Sequence, residues 1–462
     1  MKPRSLLGVA LVLLGGCGLL PQAFRKPAIE TPAALEGARS DTAGERDFAL
    51  NSWREVFADQ ALQALLEEAL QRGPDGLLAA ARTREAAAAL GLSRAQGLPN
   101  VAANLSTSPT PRRPGDDLTS SFLGGVAASW ELDFWGRYAR ANDAARADLL
   151  ASEINQQAVR ASLVGNVANL YYQLAALREL ENLTREAVAT QQEALRLVQR
   201  KSAAGLASAA EERQQESVLA STEARLPPLR RQIVATRNAL SMLLGRLPGS
   251  TSYEASLASE GLPATVPAGM PSALLERRPD VRLAEARLRA ADARVEEARA
   301  RFFPQIALTA VFGSVSTTLT DVLRGDGADV ASLGPTMLLP LYGGGAVRGN
   351  RELALARLDQ ALINYRRTVH GAFADAADSL AAYESAVELV ALQQRRERAA
   401  SEALRLANLR FESGITTFLE VLEAQRQHLA ADTEATQSLL EQRQALIRVY
   451  LALGGGWQEP AR

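Results

Sequence analysis

Two stretches of the chain, Tyr138 to Lys201 and Asn350 to Ser413, each run for 64 residues without a proline and with one glycine apiece, Gly165 and Gly371. Proline would remove a backbone donor and clash with the preceding turn, so its absence predicts two unbroken helices. At 1.5 Å rise per residue each helix reaches ~95 Å, whereas an ordinary globular helix has ~11–12 residues. Leu163, Val167, Leu170, Leu174 and Leu177 recur at spacings of 4 and 3, as do Leu355, Leu358, Leu362, Tyr365, Val369, Ala372 and Ala376. That alternation is a coiled-coil seam. Arg, Glu, Gln and Asn fill the other faces, which suits water, and abundant Ala allows close helix approach.

The chain is also written twice. Arg94-Ala95-Gln96-Gly97-Leu98-Pro99-Asn100-Val101 corresponds to Arg299-Ala300-Arg301-Phe302-Phe303-Pro304-Gln305-Ile306, 205 residues on. Leu132-Asp133-Phe134-Trp135-Gly136 corresponds to Leu339-Pro340-Leu341-Tyr342-Gly343 at 207, and Ala204-Gly205-Leu206 to Ser413-Gly414-Ile415 at 209. Ordered matches with a slowly drifting offset indicate tandem duplication. The halves are 50–247 and 271–453, joined by a Gly/Pro/Ser-rich connector, 248–270, and followed by a tail, 454–462. In each half a helix stops before a proline. Two strands, a very long helix, a glycine and another helix follow. Pro227-Pro228 marks a break in the helical part of the first half.

The strands show as period-2 alternation. From Leu118, alternate residues read Leu, Ser, Phe, Gly, Val, Ala, Trp, Leu, Phe to Phe134, and the other face is mostly small or polar. Val101, Ala103, Leu105 and Ile306, Leu308, Ala310, Phe312 repeat the pattern; Val330 to Tyr342 carries it least clearly. Such contrast fits a sheet between an oily and a wet medium, or a soluble sheet with one solvated face. Two strands per half give four. Membrane strands must form a closed barrel, and known barrels start at ~8 strands. Four strands in a membrane therefore require several chains to pool them.

The N-terminus reads as an address. Lys2 and Arg4 precede an apolar run, Leu6 to Leu14, and small residues lead to Cys17, the 1 cysteine of the chain. Residues 1–16 form a signal peptide, and Leu14-Gly15-Gly16-Cys17 matches a lipobox in which Cys17 is lipidated; the alternative is an ordinary secretory signal with a chance cysteine. Residues 17–49 then form a lipidated, extended N-terminal segment. Gly18, rather than Asp, favours sorting to the outer membrane. Loss of the signal leaves 49 basic against 52 acidic side chains, a net charge of −3. No basic excess points to nucleic acid, and no apolar run is long enough for a transmembrane helix. His370 and His428, the 2 histidines, lack metal-ligand spacing along their helices, and no role follows for either. Gly343-Gly344-Gly345 lacks the Lys-Ser/Thr of a phosphate loop and reads as a strand-to-helix turn.

Several segments together resemble the TolC-like outer-membrane efflux proteins, and the lipobox their OprM-like lipoprotein branch. They are Leu132-Asp133-Phe134-Trp135-Gly136-Arg137, Leu275-Glu276-Arg277-Arg278-Pro279-Asp280-Val281, Phe303-Pro304, Gly414-Ile415-Thr416-Thr417-Phe418-Leu419-Glu420-Val421-Leu422-Glu423-Ala424-Gln425 and Leu453-Gly454-Gly455-Gly456-Trp457. The resemblance implies a mainly α fold with a β part: a long coiled-coil tunnel, plus four strands per chain in a trimeric transmembrane β-barrel. It further implies a homotrimer in the outer membrane of a Gram-negative bacterium, lipid-anchored, with its helices in the periplasm. The partners would be a periplasmic adaptor and an inner-membrane RND pump. Neither a catalytic site nor a cofactor is implied, apart from the covalent lipid on Cys17.

The same resemblance marks the turns at Gly205 and Gly414 as the periplasmic tip, and Asp133, Trp135, Gly136 and Arg137 as the strand-to-helix signature. Its acidic pore ring falls on Glu420 and Glu423, three apart and so on one helical face, with Glu211 as counterpart in the first half. The plain reading of these carboxylates is solvated helix side chains. Thr416 stands where some relatives carry an Arg, and Phe411 where some carry a hydrogen-bonding Tyr. Rival readings are an outer-membrane factor for type I protein secretion, a periplasmic adaptor lipoprotein, which needs a lipoyl-like module, and a hydrolytic lipoprotein, which needs a nucleophile elbow, a triad or a metal cluster.

Overall fold

A computed structural model describes residues 24–32, 48–111, 118–205, 207–249, 257, 262–263, 265–267 and 271–457. Cys17, the signal segment and most of the connector lie outside the described residues. In chain order the elements are α1 (Trp53–Val56), α2 (Gln60–Arg72), α3 (Pro74–Gln96), β1 (Asn100–Pro111), β2 (Leu118–Leu132), α4 (Arg137–Ala203), α5 (Ala209–Glu223), α6 (Leu226–Leu243), α7 (Pro271–Arg277), α8 (Pro279–Ala300), β3 (Gln305–Ser316), α9 (Leu319–Arg324), β4 (Ala328–Leu338), α10 (Ala346–Glu412) and α11 (Phe418–Ala452). Both long helices are present, at 67 residues each. Pro227 and Pro228 sit in the first turn of α6, where a missing N–H goes unnoticed. One compact unit comprises Met1–Ile29, Arg84–Ser152 and Leu283–Arg366; the other comprises Glu30–Thr83, Glu153–Arg282 and Arg367–Arg462. Each unit draws on both halves of the duplication.

The first unit holds one antiparallel sheet of four strands in the order β1-β2-β3-β4. Its register turns the alternation of each strand into a common face. Val101 pairs with Ala128, Ala128 with Ala310, and Ala310 with Leu333; Ala103 pairs with Val126, Val126 with Phe312, and Phe312 with Ala331. Side chains directly opposite in a ladder share a face, so one face is apolar across all four strands. The other carries Asn104, Ser129, Thr309 and Ser332. The apolar face is open: Leu333 is 73% exposed and Phe312 67%. In β4, Asp329 and Pro335 fall on the apolar face, and Val330 and Leu338 on the polar one, which blurs its period. Gly125 and Gly313 face each other. A Cβ on Gly125 would lie 2.4 Å from the Phe312 carbonyl oxygen, and one on Gly313 2.3 Å from that of Gly124, so only glycine fits this pair. Helix α9, which the sequence reading did not anticipate, is started by Thr318, stopped by Gly325 at φ 79°, and packs against β2 and β3.

The second unit is built on the predicted seams. Leu163, Val167 and Leu174 of α4 and Val369, Ala372 and Ala376 of α10 are buried. Leu163, Val167, Leu174 and Ala376 join a core with Leu62 and Leu66 of α2, Leu240 of α6, and Leu446, Ile447 and Tyr450 of α11. A fully buried side chain of this size contributes about 1.5–3 kcal/mol. Polar ties fix the register. Asp59 caps α2 through the Ala61 and Leu62 amides and accepts the Tyr171 hydroxyl at 2.6 Å. The Tyr450 ring meets Phe48 and Phe57 edge-on, and its hydroxyl donates to the Asn51 carbonyl at 2.8 Å; burial pushes that phenol up to about 12. Arg278 is buried and donates to the carbonyls of Ala372 (3.3 Å) and Ala452 (3.0 Å) and to the carboxylates of Asp280 (2.7 Å) and Asp375 (3.1 Å). It thereby ties the start of α8 to α10 and to the end of α11.

Candidate functional site

Two places in the molecule hold the residues singled out by the sequence. The first is the joint between β2 and α4. Asp133 caps the helix by accepting the amides of Tyr138 (3.2 Å) and Ala139 (2.8 Å), and Gly136 turns the chain at φ 73°. Trp135 stacks on Phe303 at 4.8 Å and donates its indole N–H to the Pro304 carbonyl at 2.7 Å. Arg137 pairs with Glu131 at 2.6 Å. Every member of the signature thus contacts protein within the joint, and Trp135 ties the first half of the chain to the second. The corresponding Tyr342 lies 92% exposed.

The second place is the pair of turns at Gly205 and Gly414. Both glycines are left-handed, with φ 72° and 71°. The second turn closes α10 as a Schellman motif: the Ile415 amide donates to the Arg410 carbonyl at 2.9 Å and the Gly414 amide to that of Phe411 at 3.0 Å. Phe411 and Phe418 pack at 5.3 Å across the turn, and Thr417 stands at the N-cap of α11 without a side-chain bond. This geometry brings four side chains to Glu420 and Glu423. The Thr416 hydroxyl donates to Glu420 Oε2. Arg410 Nη1 approaches Glu420 Oε1 at 3.5 Å. Arg426 grips Glu423 with two bonds, Nε at 2.9 Å and Nη2 at 2.6 Å, and Gln427 adds a third at 2.9 Å. The Arg426 guanidinium, followed by the Gln427 amide, lowers the Glu423 carboxyl to about 2. An ion pair therefore exists at this turn, with Arg410 as its cation.

The first turn uses its carboxylate differently. Glu211 forms a capping box with Ser208: its amide donates to Ser208 Oγ at 3.2 Å, and its Oε2 accepts the Ser208 amide at 2.7 Å. The two hairpins meet where Lys201 Nζ lies 4.5 Å from the centre of the Phe411 ring. Phe411 cannot donate a hydrogen bond, yet its ring face attracts the ammonium. Sequence reasoning did not single out Lys201, Arg410 or Arg426. Arg426 was readable, since Glu423 and Arg426 stand one helical turn apart; Arg410 and Lys201 become partners only once the turns are folded. Among the described residues no helix is long and apolar enough to cross a membrane, and no group of three or more His, Cys, Asp or Glu side chains is arranged to hold a metal ion.

Comparison with known proteins agrees with this architecture. The family model described as "Outer membrane efflux protein" matches residues 65–246 and 270–455. The pyoverdine export outer membrane protein OpmQ of Pseudomonas aeruginosa is 36% identical over 472 residues, which cover 99% of this chain and 98% of that one. The solvent efflux pump outer membrane protein SrpC of Pseudomonas putida is 32% identical over 471 residues, 99% of each chain. The open-state crystal structure of the Neisseria gonorrhoeae MtrE outer membrane channel superposes with a TM-score of 0.83 at 29% identity, covering 95% of this chain and 99% of that one. With the family model matching most of the chain and relatives above 30% identity over nearly its whole length, this chain belongs to the outer membrane efflux protein family.

Proposed function

We propose that three copies of the chain assemble into the outer-membrane duct of a tripartite efflux system. Their sheets close as one twelve-stranded barrel, and their helices line a tunnel that receives small molecules from a periplasmic adaptor and an inner-membrane RND pump. Cys17 carries the lipid anchor, and the assembly has no catalytic role. One observation carries this reading: a four-stranded sheet with an exposed apolar face whose outer edges, on β1 and β4, have no partner among the described residues. Unpaired edge amides in lipid cost several kcal/mol each, and closing the barrel with further copies removes them. Electrophoresis of the outer-membrane fraction tests the assembly. Unheated protein is expected to run as a trimer and boiled protein as a chain near 49.4 kDa less its signal. A detergent-independent monomer is the outcome that defeats it.

In this assembly the tip turns form the aperture. Glu420 and Glu423 ring the pore, each sharing its charge with an arginine of the same chain, and Lys201 on Phe411 holds the two hairpins of a chain together. Such rings favour cations and bias a gate. The double variant Glu420→Ala, Glu423→Ala is expected to lower cation selectivity in planar bilayers and to change single-channel conductance. Unaltered values for both would remove these carboxylates from the pore.

A further inference from the structure

Between α4, α10 and α11, all within the helical unit at this level, lies a cavity of about 190 Å³. Its lining includes Gln191, Gln425, His428 and Asp432, and an acidic neighbour, Glu186. Four polar atoms of this lining are shielded from solvent and make no hydrogen bond: Gln191 Oε1, Gln425 Oε1, His428 Nδ1 and Asp432 Oδ1. Gln191 is 6% exposed. A buried polar atom left unpaired is destabilising, and the three oxygens among these call for something electropositive.

His428 and Asp432 narrow down what that is. They stand four apart on α11, and Nδ1 lies 3.2 Å from Oδ1 without the alignment of a hydrogen bond. A spacing near ~3 Å is what two donor atoms adopt when both bind one metal ion at ~2.0–2.2 Å. The field is favourable as well. Glu186 brings a further carboxylate to the same lining. Oxygen donors alone would suit an alkali or alkaline-earth ion, whereas an imidazole nitrogen beside carboxylate and amide oxygens suits a divalent first-row transition metal.

We propose that this cavity is a divalent transition-metal site, in which His428 and Asp432 chelate the ion and the amide oxygens of Gln191 and Gln425 support it. With one carboxylate and one neutral imidazole as its chelate it is an exchangeable site, distinct from the closed cage of a structural zinc domain. Because Gln191 belongs to α4 and the chelate to α11, a bound ion braces the long helix of the first half against the return helix of the second. The sequence reading gave His428 no metal-ligand spacing because no second histidine stands near it; Asp432, four residues on, supplies the partner, and only the cavity gives that pair meaning.

The test is equilibrium dialysis of untagged, detergent-solubilised full-length protein against Zn²⁺, with methylammonium in a parallel cell. One Zn²⁺ per chain is expected. His428→Ala and the isosteric Asp432→Asn should each weaken retention at least tenfold, while His370→Ala, which removes the other histidine, should leave it unchanged. Circular dichroism checks that the variants keep their helices. Zinc retention that survives both cavity substitutions, or that is lost with His370, overturns the proposal. So does retention of methylammonium in place of zinc, which would assign the cavity to organic cations.

Discussion

The two tip turns are the same device put to different uses. Gly205 and Gly414 adopt nearly identical φ angles, and each is followed by a hydroxyl residue at the N-cap, Ser208 and Thr417, then by a glutamate three residues on, Glu211 and Glu420. In the first turn serine and glutamate satisfy each other and the helix start, so the carboxylate is spent on capping. In the second, Thr417 makes no side-chain cap, and Glu420 turns instead to Thr416 and Arg410. The basic residue before each turn diverges in parallel: Arg410 stays with Glu420 of its own hairpin, whereas its counterpart Lys201 reaches the Phe411 ring of the other. Duplication thus supplied two equivalent turns. Where the cap is absent, the glutamate takes part in ion pairing instead.

The largest effects test what the turns still share. Gly205→Val and Gly414→Val should each destabilise the protein by about 1–2 kcal/mol, the cost of a side chain in the left-handed region. A Cβ meets nothing within 4 Å at either site, so the loss comes from φ alone and the two variants should match. Thermal midpoints of the solubilised protein measure this, and a clearly unequal pair breaks the equivalence. Where the turns differ, the caps should separate them. Ser208→Ala is expected to cost about 1 kcal/mol locally, read as roughly fivefold faster hydrogen exchange at the amides opening α5. Thr417→Ala should leave the start of α11 within about 0.5 kcal/mol. If Thr417→Ala is as damaging as Ser208→Ala, the second turn is capped after all.

Much of this molecule was legible in its sequence because long-range order was written as short-range rhythm. The seams at Leu163–Val167 and Val369–Ala372 and the alternation of β2 and β3 survive folding unchanged, since periods of 3.5 and 2 describe burial directly. Glycines at 205 and 414 were readable for a similar reason: a chain that must turn left after a helix has little other choice. Strand β4 was faint because Pro335 and Asp329 sit on its oily face, and α9 was missed because a six-residue helix between strands carries too little pattern. Glu211 shows the limit at the tip. Its spacing from Ser208 is that of a capping box, yet the same spacing recurs at Thr417 and Glu420, where no box forms. Which glutamate is consumed locally depends on Thr416 and Arg410, and so on the folded turn.

The smallest effect concerns Glu423, whose counterpart in the first half, 209 residues earlier, is Gln214. Arg426 chiefly, and Gln427 after it, lower its carboxyl from the usual 4.5 to about 2. A lowered value means that the charge, and the bonds that depend on it, are fully present above the usual range and are lost only as pH falls toward 2. Between pH 5 and pH 3 ordinary carboxylates neutralise while Glu423 stays ionised. The difference in cation selectivity between wild type and Glu423→Gln, measured as reversal potential in bilayers, should therefore persist across that window. Arg426→Ala removes the main cause, so in that background the difference should fade between pH 5 and pH 3 as Glu423 titrates near its ordinary value. Gln427→Ala should shift the profile in the same direction by less. Identical pH profiles with and without Arg426 would show that the pair does not hold the charge, and the second tip would then be no better defended against acid than the first.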